Sequence, residues 1–386
     1  MIPLSVPNIK GNELKYLTQC VKTEFVSSVG KFVNLFENKI SKYTGSKYAV
    51  ACSSGTSALQ LALRILGVKQ NDEVIVPSMT FIATVNSIMY LGAKPVFMDC
   101  DEYYNLDIKK LSNFLKNKTF IKNGFTFNKK SKRKISAIIP VHVSGNAVEL
   151  KKLVAECQKR KIKVVEDAAE SLGTFYNSGS LRKKHTGTIG NVGCLSFNGN
   201  KIITSGGGGM ILTNEKKLAK YAKYLSTQAT DDPINYVHND IGYNFRLTNV
   251  QAAVGLAQLE KINYFLKKKR ELYRFYQKNF KSMKNLNFAP VPKYATNNCW
   301  MMSVILKKGS DKKKLINYLR RKKIQTRSIW QPCHMQKPYK FFESYKIVNA
   351  ENLFKRTVNI PCSTNLSLNQ ARLVIKFIKN FYKDSK

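Results

Sequence analysis

Acidic residues are scarce in this 386-residue chain, in which 24 Asp and Glu stand against 65 Lys and Arg, a formal net charge of +41 at pH 7. Histidine is scarcer, with four residues; none forms a helical ligand pair, so no metal centre is expected. The eight cysteines fall at positions 20, 52, 100, 157, 194, 299, 333 and 362 with no CxxC spacing. That argues against a zinc ribbon and against a disulfide scaffold. No apolar run is long enough to span a bilayer, and no signal peptide opens the chain. The expectation is a soluble cytoplasmic protein without a membrane partner.

So large a positive charge raises a nucleic-acid partner. The basic runs Lys129-Lys130-Ser131-Lys132-Arg133-Lys134, Lys267-Lys268-Lys269-Arg270 and Arg320-Arg321-Lys322-Lys323 have enough charge to neutralise phosphates. None is interleaved with aromatics as a stacking platform is, and no nucleic-acid motif accompanies them. Solvated lysine-rich faces are the favoured reading, with no nucleic acid expected. The field still suits an anionic substrate.

What the chain does have is a lysine in a tight loop. Lys201 ends Leu195-Ser196-Phe197-Asn198-Gly199-Asn200-Lys201 and is followed by Ile202-Ile203-Thr204-Ser205 and the glycines 206 to 209. An amine held there, after an apolar strand, is placed to form an imine with an aldehyde cofactor, and pyridoxal phosphate needs that geometry. Chance placement of one lysine among many is the competing reading. The segment Lys163-Val164-Val165-Glu166-Asp167-Ala168-Ala169-Glu170 reads as a buried strand ending at Asp167. Ligands collect at the carboxyl ends of such strands, and a carboxylate beside a pyridine nitrogen keeps it protonated. Taken alone, Asp167 reads sooner as a helix cap than as a cofactor contact. The run Ala49-Val50-Ala51-Cys52-Ser53-Ser54-Gly55-Thr56-Ser57-Ala58 is strand, small-residue turn and helix start. Backbone N–H groups there, with the hydroxyls of Ser54 and Thr56, make a phosphate seat, and Ser196 adds another hydroxyl. Together the three segments favour the cofactor reading.

These residues resemble the DegT/DnrJ-type nucleotide-sugar aminotransferases of pyridoxal-phosphate fold type I. The resemblance runs through Ser5-Val6-Pro7-Asn8, the Ser-Gly-Thr turn, Pro77-Ser78-Met79-Thr80-Phe81, Glu166-Asp167-Ala168-Ala169, Ser196 to Lys201 and Gly242-Tyr243-Asn244-Phe245-Arg246. More narrowly, Ser27 to Val33, the insert Asn123 to Lys130 and Val141-His142-Val143-Ser144-Gly145-Asn146 look like the branch serving legionaminic-acid biosynthesis. The resemblance implies Lys201 as the Schiff-base residue and Asp167 as the pyridinium partner. It implies Gly55, Thr56 and Ser196 as phosphate contacts, and Phe81 as the ring stacked on the cofactor. Asn244 matches a residue reaching the phosphate of a neighbouring subunit, which implies a homodimer with shared sites. Glu170 stands where many members carry Gln or His near the ring oxygen, so it is either protonated by burial or turned away.

The implied reaction moves an amino group from glutamate to a UDP-linked 4-keto-6-deoxy-N-acetylhexosamine, for a nonulosonic acid or surface polysaccharide. Amination at carbon 3 is the alternative, and a non-catalytic regulator or nucleic-acid binder is the alternative from another class. A related dehydratase would carry histidine in place of Lys201. Arg246 and Arg327 are candidates for carboxylate or pyrophosphate, and His334 for the sugar. His142 and His334 otherwise read as packed, hydrogen-bonded histidines.

For architecture, apolar runs at 49–54, 73–78, 94–99, 135–142, 163–168, 192–197 and 209–213 alternate with helix-like stretches. The expected fold is α/β, with a mostly parallel seven-stranded sheet in a large cofactor-binding domain over residues 1–250. The resemblance implies one antiparallel member. Residues 251–386 are expected to hold a linker helix and a smaller α/β domain with strands at 300–306 and 324–330 and helices around 311–322 and 368–382.

Overall fold

The structure is a computed structural model that describes residues 1–383. An eight-stranded sheet forms its centre, in the order Tyr48–Cys52, Gly209–Thr213, Val192–Ser196, Lys163–Asp167, Ile135–Ile138, Glu73–Pro77, Lys94–Met98 and Ser344–Tyr345. The strand Gly209–Thr213 runs antiparallel to both neighbours and the other pairings are parallel. The seven expected strands thus share one sheet, and an eighth joins it. Ser344 pairs with Phe97 and Tyr345 with Met98, so two residues from the C-terminal third extend the large sheet.

The strand sequences read as nearly continuous apolar runs because both faces are covered. Val74, Val76, Val165, Cys194 and Ile211 bury into one layer, whose helices include Gly55–Ile65, Ile82–Met89 and Lys216–Ser226. Their alternates Leu195, Met210 and Leu212 bury into a second layer with Asn249–Glu260, and Ile75, Val96 and Val164 into a third cluster against Ile108–Asn117 and Leu150–Lys159. This is the two-residue period of a strand.

The expected long helical stretch is two helices, Asn249–Glu260 and Ile262–Phe280. The first opens with a capping box between Thr248 and Gln251. The helices Glu13–Lys22 and Lys31–Thr44 pack on it. Gly255 permits the approach, since a Cβ there would lie 2.7 Å from Phe36. Farther on, a four-stranded antiparallel sheet is ordered Leu286–Phe288, Met302–Leu306, Thr357–Ile360 and Arg327–Ser328. Two of these strands, 286–288 and 357–360, were not expected, and the expected strand at 324–330 is reduced to Arg327–Ser328. Its helices are Asp311–Arg321 and Leu368–Lys383. The N-terminal strand-like segment ties to this region, with the Ile2 N–H donating to Lys323 O at 2.8 Å and Leu4 O accepting from Cys362 N at 2.8 Å.

Candidate active site

The carboxyl ends of the parallel strands and the amino end of Gly209–Thr213 surround a cavity of about 440 Å³. Its first wall is the turn after Cys52. Ser54 caps the helix Gly55–Ile65, accepting the Ser57 N–H at 3.0 Å while Ser57 Oγ accepts the Ser54 N–H at 2.9 Å. The Ser54 hydroxyl thus serves the cap, and Ser54 also lines the cavity. Gly55 and Thr56 line the cavity, at a helix start whose first N–H groups lack intrahelical acceptors. Ser196 stands opposite. A Cβ on Gly55 would lie 2.8 Å from Ser196 Cβ, so glycine is what lets the two strand ends close into one seat.

Asp167 supplies the second wall. Its side chain is almost wholly buried, with Oδ2 accepting the Thr84 hydroxyl at 2.7 Å and Oδ1 the Ala169 N–H at 3.1 Å. The Thr84 hydroxyl spends its proton there and lies 2.9 Å from Thr80 Oγ1, from which it accepts. The neighbouring acid points elsewhere. Glu166 Oε2 lies 2.9 Å from His142 Nε2, and its oxygens accept N–H groups from Gly187, Ile189 and Gly190 at 2.6 to 2.7 Å. His142 Nδ1 accepts the Val148 N–H at 3.0 Å, which leaves the ring hydrogen on Nε2 for Glu166. Burial pushes the Glu166 carboxyl up, and the His142 contact with the glycine N–H groups outweighs it and holds the carboxyl below its usual range. Of the two adjacent carboxylates, Asp167 lines the cavity and Glu166 braces the loop behind it.

Lys201 closes the third wall. Its Nζ lies 3.3 Å from Glu170 Oε1 and 4.3 Å from the centroid of the Trp300 ring. Glu170 does not turn away. It lines the cavity, its Oε2 accepts the Ser144 N–H at 2.8 Å, and burial raises its carboxyl above the usual range against the opposing Lys201 charge. Phe81 stands at the mouth, 54% exposed, with its centroid 6.1 Å from that of Trp330. Arg327 also lines the cavity, from an exposed edge position.

Three expected site residues lie outside this cavity. Asn244 is exposed and bridges to Thr227. Arg246 has a buried Nε without a hydrogen-bond partner among the described residues. His334 sits in a short turn with Nδ1 2.6 Å from Ser78 Oγ and Nε2 3.3 Å from Glu351, and it does not line this cavity. Lining residues that sequence reasoning missed include Thr84, Asn200, Trp300 and Trp330. A signal for two of them exists, because the chain has two tryptophans in all and both line this one cavity. Lys269, in a run read as a solvated face, is buried and donates to Trp300 O at 2.8 Å. A larger cavity of about 820 Å³ lies between the Ile262–Phe280 helix and residues 363–368. Volume does not make it the site, since the lysine–carboxylate pair on its lining, Lys268 with Glu271 at 3.3 Å, is an exposed pair on one helix surface.

The DegT/DnrJ/EryC1/StrS aminotransferase family pattern matches residues 7–379. The chain belongs to this family. It is 36% identical over 385 residues to GDP-perosamine synthase of Escherichia coli O157:H7, covering 99% of each chain. It is 30% identical over 380 residues to UDP-4-amino-4,6-dideoxy-N-acetyl-beta-L-altrosamine transaminase of Campylobacter jejuni subsp. jejuni serotype O:23/36 (strain 81-176), covering 97% and 96%. Among solved structures, a DegT DnrJ EryC1 StrS aminotransferase from Brucella abortus superposes with a TM-score of 0.87 at 26% identity, covering 96% of this chain and 95% of that one. The chain is accordingly a pyridoxal-phosphate-dependent sugar aminotransferase with an α/β aminotransferase fold. The residues present fit the cofactor. The cavity has ordinary small-ligand size, places an amine and a carboxylate on separate walls, and presents a helix start that no Cβ crowds.

Proposed function

We propose that this aminotransferase transfers an amino group from glutamate to carbon 4 of a UDP-linked 4-keto-6-deoxy-N-acetylhexosamine. The observation that carries the reaction class is that Lys201, Asp167 and the Gly55–Thr56 helix start all open on one cavity. In this reading the first-turn N–H groups and the Ser196 hydroxyl hold the cofactor phosphate, Phe81 covers the ring, and Asp167 keeps the pyridine nitrogen protonated. Pyridoxal phosphate bound there supplies an electron sink. Lys201 moves a proton off the α-carbon of glutamate in one half-reaction and returns one to the sugar carbon in the other. Arg327, at the mouth, has the guanidinium fork that suits a pyrophosphate or a carboxylate.

Support for the sugar is local. Of the three segments that resemble the legionaminic-acid branch, 141–146 reaches the site, with Val141 lining the cavity and Ser144 holding Glu170. The insert 123–130 forms part of a hairpin, Thr119–Lys122 with Phe125–Asn128, and Asn128 binds Glu73 and Glu343 away from the cavity. A GDP-linked 4-keto-6-deoxysugar is the second reading, favoured by the 36% identity over nearly the whole chain to GDP-perosamine synthase. Glutamate-dependent turnover of UDP- and GDP-linked 4-keto sugars, with NMR of each product, separates the two. Amination at carbon 4 of the UDP-linked acetamido sugar is expected. Reaction at carbon 3 alone, or only with a sugar lacking the acetamido group, would overturn the first reading.

A homodimer with shared sites belongs to the same proposal. Asn244 is exposed and outside its own cavity, as a residue serving a neighbouring phosphate would be. Sedimentation at assay concentration should give a dimer, and a fully active monomer would refute this.

A further inference from the structure

Lys201 sits between two walls that come from distant parts of the chain, and one buried side chain joins those walls. Glu170 offers one oxygen to Lys201 Nζ at 3.3 Å, and its other oxygen is pinned by the Ser144 N–H at 2.8 Å. Ser144 gives that N–H from a left-handed conformation at φ +55°, which a non-glycine residue adopts only when its surroundings hold it there. The opposite wall is the Trp300 ring, 4.3 Å from the ammonium, within the range of a cation–π contact. The Trp300 indole N–H donates to Asn200 O at 2.6 Å, so this wall is tied to the loop that bears the lysine. Lys269 holds the Trp300 carbonyl at 2.8 Å.

Asn298 connects the two. Its Nδ2 donates to Glu170 O at 2.8 Å and to Leu172 O at 2.9 Å, while its Oδ1 accepts the Trp300 N–H at 2.9 Å. Asn298 is fully buried, with Trp300 and Glu170 nearly so. The fit is close: a Cβ on Gly145 would meet Asn298 Oδ1 at 1.9 Å.

We propose that Glu170 and Trp300 clamp the Lys201 ammonium and that Asn298 is the positioning residue bracing both walls. The inference rests on Lys201 as the cofactor lysine. A lysine stem is flexible, and an amine that must leave the cofactor and act again within one turnover gains from being returned to one place. The Glu170 oxygen and the indole face together fix where the freed amine sits and which way it points. Burial raises the Glu170 carboxyl while Lys201 opposes that rise, as expected of a group whose charge depends on this partner.

The test uses the full-length chain without cofactor or sugar. Trace acetylation with acetic anhydride at pH 8, read by peptide mass spectrometry, compares Lys201 with exposed Lys15 as an internal standard. Glu170→Gln should raise Lys201 acetylation roughly 3-fold, because the ion pair that holds the amine at 3.3 Å is lost. Trp300→Leu should raise it about 3-fold, with Trp300→Phe restoring most of the protection because the aromatic face is kept. Asn298→Ala should loosen both walls and raise acetylation without touching the lysine, and a thermal melt checks that each variant is folded. Unchanged Lys201 acetylation in folded Glu170→Gln and Trp300→Leu proteins would overturn the clamp. No cofactor enters this measurement, so failure of Lys201 as the cofactor lysine is read separately, by where reduced cofactor becomes attached.

Discussion

Replacing Lys201 with alanine should lower turnover by about 10³-fold, because the variant loses the group proposed to move protons at the donor's α-carbon and the sugar carbon, a role worth roughly 10²–10⁴ by itself. The structure offers no substitute at that place. The cationic side chains lining the cavity are Lys201 and Arg327, and a guanidinium does not give up its proton near neutrality. The loop should survive the change, since its backbone is tied by Phe197 N–H to Gly208 O and by Ser205 N–H to Phe197 O, each at 2.9 Å. Steady-state rates with glutamate and the ketosugar, beside a thermal melt, check this. Near-normal turnover in the folded variant would remove Lys201 from the chemistry.

Asp167→Asn should cost turnover about 10²-fold while leaving cofactor binding largely intact. An opposite charge in direct contact shifts a neighbouring group by about one to three units, and each unit is tenfold. The change is nearly isosteric, so Thr84 keeps an oxygen to donate to at the position now 2.7 Å away. The proposed phosphate seat at Gly55, Thr56 and Ser196 lies on another wall and is unaltered. The signature is a loss of rate without a loss of occupancy, read by titrating cofactor absorbance beside single-turnover kinetics. A variant that turns over normally would exclude the pyridinium role; one that fails to bind cofactor would make Asp167 a binding residue.

The parts of the site legible in the sequence are those in which chemistry and local structure coincide within a few residues. A helix start beside small residues, an acid at the end of an apolar strand and a lysine before a glycine run each have a local cause, and the fold brings them to one cavity. Position alone could not distinguish Glu166 from Asp167. Alternation along the strand sends the first to His142 and the second to the cavity. Thr84 and Asn298 were illegible because their roles exist only after distant segments pack, and rarity was the one signal Trp300 carried. Ser54 lines the cavity and caps the helix at once, because a hydroxyl at a helix start serves the cap as readily as a ligand.

The fold follows the same division. Seven central strands were readable as apolar runs buried on both faces. Ser344–Tyr345, two residues at a sheet edge, has no period to read, and Thr357–Ile360 is four residues between a helix and Pro361. The expected strand at 324–330 joins the sheet only over Arg327–Ser328, at its edge, with an isolated bridge from Ile324 to Ile2 before it. Lys269 shows the limit of composition, since a lysine within a basic run is buried and bonded to two backbone carbonyls.

The most direct test of the account is borohydride reduction of the cofactor-loaded chain followed by peptide mass mapping. The account predicts pyridoxyl label on the peptide containing Lys201 and its loss in Lys201→Ala. Label on a different lysine, with Lys201→Ala still fully active, would contradict it.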